Sequence, residues 1–187
     1  MDVLVAGGGM AGIGAAVAAA RGGGSVLLLE RLAFLGGTAT AVTLGGFCGF
    51  LRADNGQMHP IIGGLWQELE ERAPRMDALG TVRVHPTVRG VHGLPYDSER
   101  MKLIFDAWLE DAGVRILTEA TVVGVAREGR GVSAVFIESQ GGRHAIRARN
   151  FVDATGDADP AARAGGVRVD IVSLQARLRS DGALLDQ

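Results

Sequence analysis

The stretch DVLVAGGGMAGIGAAVAAARGGGSVLLLE, residues 2–30, decides how this chain folds. It opens with a short apolar strand, runs through Gly7-Gly8-Gly9-Met10-Ala11-Gly12, and continues as an alanine-rich helix. A second strand, Val26-Leu27-Leu28-Leu29, ends on Glu30. Each part has a physical task. Gly7 permits the tight turn, Gly9 lets backbone approach a pyrophosphate, and Gly12 lets helix and strand pack closely. The helix start presents free N–H groups and a positive dipole end to phosphate. Glu30, roughly 20 residues beyond Gly7, is placed to accept hydrogen bonds from an adenosine ribose. Its carboxylate would repel a 2′-phosphate, which argues against NADP. A glycine fingerprint alone is a weak signal among 29 glycines. Strand, glycines, helix, strand and acid in this order predict a Rossmann-like dinucleotide site.

Composition bounds the rest. The chain has 187 residues, enough for one domain with a sizeable core. With 19 basic and 21 acidic residues and a net charge of −2, no nucleic-acid or membrane-surface partner is expected. Cys48 is the only cysteine, so the chain holds no internal disulfide, cysteine zinc cluster or iron–sulfur centre of its own. A lone thiol fits a reducing compartment. The most apolar stretch, around residues 11–20, is too short to cross a membrane and lacks a signal peptide's basic flank. A cytoplasmic protein is expected.

Beyond Glu30 the pattern shifts. Residues 31–60 carry Gly36-Gly37-Thr38 and Gly45-Gly46-Phe47-Cys48-Gly49, small residues that allow backbone to come close to something. A helix is predicted over residues 61–73, with Ile61, Leu65 and Leu69 on its apolar face, then loop with short extended pieces over 74–96. Residues 98–112 form the clearest amphipathic helix: Met101, Ile104, Phe105, Trp108 and Ala112 share one face, and Gly113 stops it. Strands follow at 114–117, 121–126, 132–139 and 144–147, the last three joined by glycine-containing turns. They read as a small antiparallel meander, about residues 120–148, inserted in an α/β framework. Residues 150–154 resume a buried strand, and Asp159-Pro160 open a short helix with Asp159 as cap. The tail has no pattern that assigns it, although Val172–Leu178 is compatible with a helix.

Gly7–Gly12, Leu29-Glu30-Arg31, Phe34-Leu35-Gly36-Gly37-Thr38-Ala39-Thr40, the helix ending Leu109-Glu110-Asp111-Ala112-Gly113-Val114, and Asp153-Ala154-Thr155-Gly156-Asp157 occur in this order. Together they resemble the FAD-dependent oxidoreductases of the two-dinucleotide-binding-domain type, distant relatives of fumarate reductase flavoproteins. The resemblance covers about residues 1–170, leaving 171–187 unassigned. It implies FAD as cofactor, held by Gly7, Gly8, Gly9, Met10, Ala11 and Gly12 at the pyrophosphate and by Glu30 at the ribose. Arg31 would lie beside the adenine or ribose, and Gly36, Gly37 and Thr38 near the pyrophosphate and ribityl side. Val122 would offer backbone to the adenine edge, and Ala154, Gly156 and Asp157 would close the site.

The resemblance also implies a substrate domain and a late Gly-Asp segment, and nothing after Gly166 supplies either. Three readings follow: a flavoprotein oxidoreductase or its N-terminal part, acting on a small organic substrate; a non-catalytic remnant binding FAD or ADP; and an NAD-dependent dehydrogenase domain. A missing returning strand leaves a sheet edge or apolar face uncovered, so self-association is expected. No catalytic residue stands out. Cys48 reads as a small buried residue rather than a redox group, and Trp66 and Trp108 as core. His59, His85, His92 and His144 read as surface histidines, and Arg52 and Arg89 either pair with a carboxylate substrate or are solvated.

Overall fold

The computed structural model describes residues 1–54, 57–84 and 91–166. The tail from residue 167, His85 and Arg89 lie outside them. The chain runs β1 (Val3–Ala6), α1 (Met10–Arg21), β2 (Val26–Leu29), α2 (Thr38–Ala41), β3 (Gly46–Cys48), β4 (Leu51–Asp54), β5 (Gln57–Pro60), α3 (Leu65–Arg72), a 3-10 turn (Ala73–Met76), β6 (Arg83–Val84), β7 (His92–Pro95) and α4 (Ser98–Asp111). It continues as β8 (Arg115–Leu117), β9 (Thr121–Glu128), β10 (Gly131–Ser139), β11 (Gly142–Ile146), β12 (Asn150–Asp153) and α5 (Asp159–Arg163).

A parallel sheet in the order β12-β1-β2-β8 forms the centre. Strand residues alternate between two faces, and here both faces are covered. Val5, Val26 and Leu28 point into a core shared with Ile13, Val17, Phe105 and Trp108 of α1 and α4. Leu4, Ala6 and Leu29 point the other way, into a second core shared with Val122, Val135 and Ile137 of the meander β9-β10-β11. The sheet is thus sandwiched between helices and meander, which is why β1 and β2 read as continuous apolar runs. Burying a side chain such as Leu4, Leu28 or Ile13 contributes about 1.5–3 kcal/mol each.

Helix α1 carries no charge before Arg21 and buries Gly12, Ile13, Ala16 and Val17. It ends as glycines should end a helix: Gly22 N–H donates to Ala18 O, and Gly23 turns left-handed at φ +84°. Helix α4 is capped by Asp97, whose side chain accepts the N–H groups of Glu99 and Arg100. It buries Leu109 with the expected Met101, Ile104, Phe105 and Trp108.

Three expectations change. The helix predicted from residue 61 begins at Leu65, because Gly63-Gly64, with Gly64 at φ +61°, breaks it and leaves Ile61 and Ile62 exposed. Cys48 is exposed rather than buried, standing on the three-residue strand β3. Asp159 is the first residue inside α5 and not its cap. The cap position is Ala158, left-handed at φ +55°, and the acceptor comes from elsewhere. Trp108 is fully buried with Arg72 over its ring, while Trp66 is half-buried against Phe47 and Phe50.

Candidate dinucleotide site

The C-terminal ends of β1, β2 and β12 lie side by side in register, so the loops leaving them meet at one edge of the sheet. Ligands of open α/β sheets bind at such carboxyl ends. The β1 loop turns at Gly7 (φ +103°), and a Cβ there would stand 2.3 Å from the carbonyl oxygen of Ala154. A Cβ on Gly12 would fall 1.8 Å from the carbonyl oxygen of Gly7. Both glycines therefore serve the close passage of strand, helix and the β12 loop. Gly9 differs: the nearest atom to a Cβ there is the Cα of Gly37, at 3.8 Å. That space belongs to the cavity.

Ile13 N–H makes the first bond of α1, to Gly9 O at 2.9 Å. The N–H groups of Met10, Ala11 and Gly12 in the first turn precede that ladder. No acid sits in that turn and no side chain caps it, so the helix's positive end opens toward the cavity. Glu30 is buried, and both its oxygens are engaged: Oε2 accepts Gly8 N–H at 2.7 Å and Oε1 accepts Leu32 N–H at 2.9 Å. Each oxygen keeps a second lone pair for a ligand hydroxyl.

The Gly36-Gly37 turn is pinned across the glycine loop. Gly36 N–H donates to Gly8 O at 2.8 Å, and both glycines have positive φ. Behind the turn, Phe105 and the buried Thr40 occupy the room beside Gly36, and the Thr40 hydroxyl donates to Leu35 O at 2.5 Å. On the opposite side, Asp153 holds the loop after β12. Its Oδ1 accepts the Thr155 N–H and hydroxyl at 3.1 and 2.7 Å, and its Oδ2 accepts Ala161 N–H at 2.9 Å.

These segments enclose a cavity of about 390 Å³. Gly7, Gly9, Met10, Ala11, Glu30, Arg31, Gly36, Gly37, Thr38, Val122, Ala154, Gly156 and Asp157 line it. Gly8 and Gly12 stand behind the wall, the first bonded to Glu30 and the second packed on Gly7. Arg31 and Asp157 approach each other across the mouth at 3.8 Å, both largely exposed. The second glycine group serves packing elsewhere, with Gly46 paired to Pro95 of β7. His59, His92, His144, Cys48 and Arg52 do not line the cavity. Arg52 is instead paired with Asp54 at 3.4 Å. Sequence reasoning missed Asp153 and Thr40 as supports. Asp153 with a hydroxyl residue two positions on was a readable turn signal.

A glycine loop opening a helix, a buried acid at the end of β2 and a cleft at the strands' carboxyl ends define a dinucleotide-binding protein of Rossmann-like fold. Gly9 and Gly37 are the cradle that side chains would fill, and the bare helix end matches a pyrophosphate, so the residues fit FAD. The family model for FAD dependent oxidoreductases matches residues 2–169, and the chain belongs to that family. Its cofactor is accordingly FAD.

Solved structures share the fold. A geranylgeranyl bacteriochlorophyll reductase-like protein from Thermoplasma acidophilum has a TM-score of 0.64 and 20% identity, over 88% of this chain and 41% of that one. THI4 from Thermovibrio ammonificans has a TM-score of 0.56 and 20% identity, over 87% of this chain and 60% of that one. A Bacillus halodurans glycerol-3-phosphate dehydrogenase, solved with FAD, has a TM-score of 0.56 and 21% identity, over 83% and 34%. The chain thus spans about one-third to three-fifths of the length of these proteins. None of the curated proteins matches it in sequence. Among the described residues no helix is long and apolar enough to cross a membrane.

Proposed function

We propose that the chain binds FAD non-covalently and forms the nucleotide-binding part of an oxidoreductase that transfers hydride to or from a small organic substrate. The observation that carries this reading is convergence: four segments separated in sequence, around Gly9, Glu30, Gly37 and Gly156, line one cavity. A bound flavin supplies the hydride chemistry. The protein's share is to bind and orient: Gly9, Met10 and Ala11 would meet the pyrophosphate, Glu30 the ribose, and Val122 and Arg31 the adenine side. The purified protein should be yellow and release its flavin on denaturation. A colourless protein that also takes up no added FAD overturns the proposal.

A second reading is a module that binds FAD or ADP without catalysis: the residues that line the cavity offer pyrophosphate and ribose contacts, and none of them has an assigned catalytic role. Equal affinity for ADP and FAD, with no flavin reduction by any donor, would decide for it. For partners we propose a small-molecule substrate, with neither nucleic acid nor membrane, in the cytoplasm. We place self-association at β12, which pairs only with β1 among the described residues. Sedimentation over a concentration series tests it.

A further inference from the structure

We infer that Asp153 is a positioning residue for the cofactor cavity, fastening its far wall to helix α5; the inference rests on the proposed FAD site. Asp153 is the last residue of β12, opposite Ala6 in the parallel register. The sheet fixes it there, and the wall begins with the next residue. Ala154, Thr155, Gly156, Asp157 and Pro160 all line the cavity; Asp153 does not. It acts only through them.

Its carboxylate serves two elements at once. Oδ1 takes both donors of Thr155, and Oδ2 takes Ala161 N–H in the first turn of α5. The stretch between needs such support. Gly156 stands at φ +85° and Ala158 at φ +55°, a left-handed conformation that a residue with a Cβ adopts at a cost. Ala162 N–H bonds back to Ala158 O, so the strained residue is also the one on which α5 is seated. Hydrogen bonds to a charged acceptor are the stronger kind, and here one acceptor sets the distance between loop and helix. Without it, the segment from Thr155 to Pro160 loses the link that holds Gly156 against the cavity.

The test uses the full chain with Asp153→Asn and Asp153→Ala, reading FAD affinity by flavin fluorescence and thermal midpoint without ligand. Asn keeps an acceptor for Thr155 but turns an NH₂ toward Ala161 N–H, so the dissociation constant should rise about fivefold. Ala loses all three bonds, and a rise of about thirtyfold is expected. In ligand-free Asp153→Ala the Ala161 amide should also exchange hydrogen faster than in the wild type. A residue that only stabilises the fold would lower the midpoint and leave affinity unchanged; dissociation constants within twofold of wild type in both variants overturn the inference. If Asp153→Ala does not fold, Asp153→Asn decides by the same criterion. Wild-type protein that takes up no FAD overturns the proposed function and this inference together. Wild-type binding with unaltered variants overturns this inference alone.

Discussion

Glu30 and Gly8, 22 positions apart in the chain, are joined by a 2.7 Å hydrogen bond from the Gly8 N–H to the buried carboxylate. The same side chain accepts Leu32 N–H through its other oxygen. The acid that ends β2 therefore shapes the glycine loop after β1 before any ligand arrives. A Cβ on Gly8 would stand 2.6 Å from Cδ2 of Leu35 and 3.0 Å from the carboxylate, so the pair leaves no slack.

Glu30→Gln should expose this dual role. The amide replaces one acceptor with a donor, which must then face either Gly8 N–H or Leu32 N–H. An unsatisfied buried donor costs about 1–3 kcal/mol. Urea unfolding of the ligand-free variant should show a loss of that order, and ADP affinity should fall in parallel. Unchanged stability would mean that Glu30 has only a ligand to serve.

Asp2 gives a pH dependence. The Ser25 hydroxyl, followed by the Ser25 N–H, holds its carboxyl below the ordinary aspartate range, and Arg149 adds to the effect. A folded-state value lowered in this way contributes stability that is present above the unfolded value and lost as pH falls through the folded one. The acid arm of the stability curve below about pH 4 should therefore be shallower in Asp2→Asn than in wild type. Urea midpoints from pH 7 down to 3 measure it, and superimposable curves would discard the assignment.

Arg31 and Asp157 meet at 3.8 Å across the cavity mouth, with side chains 66% and 56% exposed. Pairs this exposed contribute little to stability, on the order of 0.5 kcal/mol or less. Asp157→Asn should accordingly leave the ligand-free thermal midpoint within about a degree or two. Flavin release, followed by stopped flow, should become faster by a few fold and lose part of its salt dependence. A large drop in midpoint with unaltered release would invert the interpretation.

What the sequence disclosed, and what it withheld, follows from distance along the chain. Gly7, Gly9, Gly12 and Glu30 sit within one strand-helix-strand unit, where local geometry dictates their tasks. The meander and α4 were legible because their periods, two and three-to-four, are set by faces that bury. Asp153 escaped because its helix partner, Ala161, lies eight residues on, beyond the reach of local capping rules, and the nearer Asp159 fitted those rules on paper. Cys48 and the glycines around it looked like a second approach to the ligand. Only the pairing of β3 with β7 shows that they serve a separate small sheet. The start of α3 depended on the left-handed turn at Gly64, which composition alone does not reveal.

Two glycines of one fingerprint should behave in opposite ways. Gly12→Ala puts a methyl 1.8 Å from Gly7 O, backbone that is itself fixed by Gly7 N–H bonding to Leu29 O at 2.8 Å. Helix and strand must separate, so the ligand-free protein should lose several kcal/mol or fail to fold, in keeping with overpacked cores. Gly9→Ala meets nothing closer than 3.8 Å, and its φ of −74° suits any residue. Its methyl would project toward Gly37 and the cavity, where the pyrophosphate of FAD would lie. This variant should unfold at the wild-type urea midpoint yet bind FAD roughly tenfold to a hundredfold more weakly, the scale of an overpacked contact of about 1–3 kcal/mol. Denaturation without ligand, paired with FAD titration, separates the two effects. Gly9→Ala that binds FAD as wild type does would show that the pyrophosphate does not cross the glycine loop, and the cofactor's path through the cavity would have to be redrawn.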